Sequence, residues 1–61
     1  MSRMRLMANR REIRKLMAAS IAQVHVISNP EASESQKEVA AQRLAEIKMR
    51  IQLLKDENDR L

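Results

Sequence analysis

Apolar residues recur at helical intervals along almost the whole chain, in two runs of nearly equal length. In the first, Leu6, Ile13, Met17, Val24 and Ile27 follow one another at three, four or seven residues. In the second, Ala40, Leu44, Ile47, Ile51, Leu54 and Leu61 do the same, with Asn58 in the one polar slot. Such spacing lays each set along one stripe of an α-helix. It predicts one all-α domain over 1–61, with helix 1 near 3–27, a turn near 28–30 and helix 2 near 31–59.

The boundary is Ser28-Asn29-Pro30-Glu31. Asn29 suits a helix N-cap, Pro30 the first helical position, and Glu31 adds favourable charge to the first turn. Pro30 also disfavours helical geometry at Asn29, so helix 1 should stop near Ile27. Two later start signals compete, Ser33 with Gln36 and Ser35 with Glu38, both at capping-box spacing. They would extend the turn to about residue 34. The core stretches 6–27 and 39–61 hold 22 and 23 residues, and matched lengths are what an antiparallel two-helix hairpin needs.

At about 100° per residue, Leu6, Ile13, Leu16, Met17, Val24 and Ile27 share one arc of helix 1. Arg3, Arg10, Arg11, Arg14 and Lys15 fill the neighbouring arc, which turns apolar beyond Lys15 through Ala18, Ile21 and Ala22. One partner helix cannot cover so broad a surface. Dimerisation into a four-helix bundle or a coiled-coil-like assembly is therefore expected. Its interface residues would be Leu16, Met17, Ile21, Val24 and His25 on helix 1, with Leu44, Ile47, Ile51, Leu54 and Asn58 on helix 2. Asn58 falls on a heptad a position, where a polar residue specifies register in a parallel dimer, unless the last turn frays and solvates it. Glu46–Arg50 and Asp56–Arg60 stand in the favoured i,i+4 order for ion pairs. Met49 and Leu53 lie off the main stripe.

Composition strengthens the case for self-association. The 61 residues include no Phe, Tyr, Trp, Cys or Gly, so neither aromatic packing nor a disulfide supports so small a core. No apolar run approaches the ~20 residues that span a bilayer. The basic start followed by Leu16–Ile27 imitates a targeting segment, but Gln23 and His25 interrupt it. A cytoplasmic protein is expected.

Nothing in the chain resembles a catalytic constellation. The single His is His25, and there is no ligand-spaced His or acidic cluster and no Gly-rich phosphate loop. The sequence reads as non-enzymatic, with no catalytic residue, cofactor or metal site.

Charge is more informative than chemistry. Residues 1–27 carry six Lys/Arg and one acidic residue, whereas 28–61 carry six and seven. Arg10–Arg14 and Arg11–Lys15 are repulsive i,i+4 pairs, tolerable where an anionic surface meets them. Arg3, Arg10, Arg11, Arg14 and Lys15 form the expected partner-binding face. An acidic protein surface is the first expectation, with Met17, Ile21 and His25 adding contact area, in keeping with a small regulatory or adaptor protein. The alternative is a helical-hairpin dimer gripping DNA or RNA phosphates; base stacking is excluded for want of aromatics. An anionic membrane comes last, since Leu and Ile without Trp or Phe make a weak interfacial helix.

The length and hairpin layout resemble the small RNA-binding four-helix-bundle regulators of plasmid copy number, and also the basic two-helix hairpin protein of the large ribosomal subunit. Both resemblances are of layout without a shared motif, so no residue role is carried over.

Overall fold

A computed structural model describes residues 2–61. Helix α1 runs Ser2–Ser28 and helix α2 Glu34–Arg60, each of 27 residues. The two pack against each other as an antiparallel hairpin, a rod of 47 × 14 × 11 Å. Twenty-seven residues at about 1.5 Å each span about 40 Å, so the rod is as long as its helices. The hairpin expected from the two apolar runs is what forms.

The connection settles the competing start signals. Asn29 does not cap a helix beginning at Pro30. Its Oδ1 accepts from the Glu31 N–H at 2.9 Å, and its carbonyl accepts from the Ala32 N–H at 3.1 Å, closing a turn over 29–32. The helix start is Ser33. Its Oγ accepts from the Gln36 N–H at 3.1 Å while the Gln36 Oε1 accepts from the Ser33 N–H at 2.8 Å, a complete capping box. Helix 2 therefore begins at Glu34 rather than near 31. The physical reason is reversal: a helix begun at Pro30 leaves too little chain to turn back, whereas five residues make a usual helix–helix loop.

The face that α1 turns inward differs from its apolar stripe. Leu6, Asn9, Ile13, Leu16, Ser20, Gln23 and Ile27 form a buried or half-buried seam that alternates strictly by three and four, with Glu12, Ala19 and Val26 half-buried along one flank of it. Met17 and Val24, expected on the stripe, are exposed. Met17 and Val24 belong to a rival seam with Met7, Arg10, Arg14 and Ile21, all exposed. Choosing that seam would bury two guanidinium groups. The seam adopted buries neutral polar groups instead, which cost far less when hydrogen-bonded. Asn9 is bonded across the hairpin, and the Ser20 hydroxyl donates to the Met17 carbonyl of its own helix at 2.6 Å.

On α2 the inward face follows the sequence pattern as far as Asn58, with Ala40, Leu44, Ile47, Ile51, Leu54 and Asn58 buried or half-buried, while Leu61, the C-cap residue, is exposed. Among the described residues Ala40 and Leu54 are the buried apolar side chains. The other apolar positions of the seam stay partly open to water, as two helices alone must leave them.

Replacing Ser33 with Ala should lower hairpin stability by about 1 kcal/mol, the usual worth of such a cap. Ser35→Ala, which touches the unused start signal, should leave stability nearly unchanged. Urea melts followed by circular dichroism check both.

Candidate interaction surface on the first helix

The basic segment of α1 is held in place by a polar clamp at the open end of the hairpin. The Asn9 amide, 4% exposed, donates to the Glu57 Oε1 at 2.7 Å and to the Asn58 Oδ1 at 2.9 Å. Arg5 closes the arrangement with two hydrogen bonds to the Glu57 carboxylate, its Nη2 lying 3.2 Å from Oε2. The Arg5 guanidinium and the Asn9 amide together hold the Glu57 carboxyl at about 2, against an ordinary value of 4.5. The same contact raises Arg5. Asn58, expected to fray or to set the register of a parallel dimer, instead meets Asn9 of the same chain.

A second ion pair, Glu12 with Arg50 at 3.4 Å, lies along the same edge of the rod. It replaces the expected Glu46–Arg50 pair: Arg50 reaches across the seam rather than along its own helix. Likewise Asp56 accepts from Gln52 at 2.9 Å and makes no ion pair with Arg60. Charges flanking a two-helix seam are close enough to bridge it, as at the e and g positions of coiled coils.

The five cations expected to meet a partner are all exposed. Among the described residues, none of Arg3, Arg10, Arg11, Arg14 and Lys15 has a carboxylate within ion-pair distance. At about 100° per residue, Arg11 lies on the back of α1, and Lys15 between the back and the ion-paired edge, where both line a groove with Glu12. Arg10 and Arg14 lie on the edge opposite the ion pairs, in line with Met17, Ile21 and Val24; Ile21 is 59% exposed. Arg3, Met4, Met7 and Arg11 line a shallow open groove near the start of the helix.

The expected interface residues thus divide into two groups. Leu16, Leu44, Ile47, Ile51, Leu54 and Asn58 face the inside of the hairpin. Met17, Ile21, Val24 and His25 stay on the outer surface. Arg5, Asn9 and Glu57 were missed from sequence, and for Asn9 its place three residues after Leu6 and four before Ile13 was the available signal.

Among the described residues no group of three or more His, Asp or Glu is placed to hold a metal ion, and no helix is long and apolar enough to cross a membrane. No protein-family model matches this chain, and no match to it is found among curated proteins or solved structures.

Glu57 binds its proton more weakly in the folded hairpin than in the unfolded chain, so acid favours unfolding. Its contribution is complete above the ordinary carboxylate value of 4.5 and is lost as pH falls to about 2. The carboxylate is part-exposed, so water screens the effect. Thermal melts of the wild type should lose stability across that window. Glu57→Gln should start lower at neutral pH and show a flatter acid limb, and an identical limb would remove Glu57 from the clamp's pH response.

Proposed function

We propose that this protein is a small non-enzymatic regulatory or adaptor protein, acting as a homodimer that binds an acidic protein surface through α1. One observation carries the reading. Five cations of α1 find no carboxylate in the hairpin, although α2 lies alongside and contains six acidic residues. A chain that needed only a stable hairpin could have placed an acid opposite Arg10 on α2, or one a turn before Arg11 or a turn after Lys15 on α1. Instead Arg3, Arg10, Arg11, Arg14 and Lys15 remain available to steer an anionic partner.

A protein partner suits the surface better than a phosphate backbone because exposed apolar side chains adjoin the charges. Met17 and Ile21, with His25 a turn further on, offer contact area that a protein can desolvate and a sugar–phosphate chain cannot. The homodimer supplies two copies of the basic face and covers apolar surface that one hairpin leaves open.

The nucleic-acid reading rests on the same cations, four of them Arg, whose planar fork also matches phosphate. Absorbance separates the two, because the chain has no Trp or Tyr to obscure a nucleic-acid band. Protein purified from cells at low salt should carry no such band, and should retain a protein partner that Arg11→Glu with Lys15→Glu releases. A band present at low salt and lost at about 1 M salt would transfer the basic face to DNA or RNA.

A further inference from the structure

The edge of the rod opposite the two ion pairs has an ordered charge pattern. Nearest the open end it carries Arg10 and Arg14 of α1, with no carboxylate within reach. Its middle is apolar, with Met17, Ile21 and Val24 exposed in one line. On α2 the same edge follows from the ion pairs: Arg50 and Glu57 mark one side of the seam. At about 100° per residue, the other side presents Ala41, Ala45 and Lys48 in the middle, Lys55 and Asp59 toward the open end, and Glu34 and Glu38 toward the turn. All seven are exposed.

Such a face, basic at one end, largely apolar in the middle and acidic at the other, is complementary to its own copy turned end for end. We infer that a second copy of this chain covers it, antiparallel, with the two-fold axis passing beside Ile21. The inference rests on the homodimer proposed above and assigns its face and orientation.

The distances agree. Arg14 and Arg10 precede Ile21 by two and three turns, about 10 and 16 Å along the axis at 1.5 Å per residue. Asn9 lies opposite Asn58, and that register sets Glu38 and Glu34 level with the end of α1 and the loop. They therefore lie a similar distance beyond Ile21, and the two-fold sets the two carboxylates of the other copy diagonally across from Arg10 and Arg14 and beside Lys55 of α2. An isologous contact repeats every pairing twice. The apolar middle packs on itself, and Ala41 with Ala45 allow close approach. A parallel arrangement would bring the two basic ends together and the two acidic ends together.

Arg11 and Lys15 stay outside this contact. The dimer takes Arg10, Arg14, Met17 and Ile21 from the surface that a single hairpin leaves open, so the acidic partner is left Arg11, Lys15 and His25, and the two contacts can be tested separately.

The test is a charge exchange read by sedimentation equilibrium, with circular dichroism reporting helix content. The wild type should sediment at twice its 7.1 kDa chain mass. Arg10→Glu with Arg14→Glu should weaken self-association by about a hundredfold or more, since like charges now face each other at both ends. Glu34→Arg with Glu38→Arg should do the same. An equimolar mixture of the two variants should dimerise again, because both ends become complementary. The mixture remains decisive if either variant alone is poorly folded, as helix and dimer would return together. A monomeric wild type would overturn both the homodimer and this face. A wild-type dimer with both variants still dimeric, or a mixture that stays monomeric, would overturn the face and orientation alone. Arg11→Glu with Lys15→Glu should leave the dimer intact, and its effect on partner binding reports on the proposed function independently.

Discussion

The difference in cost between burying a guanidinium and burying a neutral amide sets the rotation of α1, and most other features follow from that rotation. Two seams with the same alternation of three and four run along the helix. One carries Arg10 and Arg14, the other Asn9, Ser20 and Gln23. An unpaired buried charge would be far more expensive than a bonded amide or hydroxyl. The hairpin turns the neutral seam inward and leaves Met17, Ile21 and Val24 outside. The exposed apolar line is thus a by-product of where the arginines stand.

Polar groups in the seam also determine its alignment. Apolar layers of similar size would tolerate a slip of one heptad with little loss. Asn9 would not, because only the observed alignment gives its amide the Glu57 carboxylate and the Asn58 carbonyl together. A displaced Asn9 would be enclosed without partners, at a cost of roughly 1–3 kcal/mol. Arg5 and the Glu12–Arg50 pair add the same preference from the edge. At the other end the capping box at Ser33 fixes where the return helix begins. Alignment is therefore enforced twice, once at each end of a core that is thin in between.

The architecture was legible in the sequence because matched helical runs either side of Asn29-Pro30 leave few other ways to fold. The α2 face was equally readable, since its heptads are apolar except at Asn58. The α1 face was not, because a count of apolar residues steps over Asn9, Ser20 and Gln23 and drifts onto Met17 and Val24. Helix 2 offered three starts of similar local quality, and only the room required for reversal separates them. The five cations were recognisable from composition alone. That they lack carboxylates in the folded hairpin depended on Arg5 and Arg50 drawing Glu57 and Glu12 to the opposite edge, which no single helix reveals.

The clamp also decides how the molecule yields to force. Arg5 and Glu57 hold the two ends of the chain side by side, while the only covalent link between the helices lies some 40 Å away at the loop. Tension between the termini therefore pulls across the rod rather than along it. It loads the Asn9–Asn58 layer first and reaches Ile13 and Leu54 only after that layer has parted. The hairpin should open as a zipper, layer by layer at low force, with the resistance concentrated in a few polar contacts at its mouth.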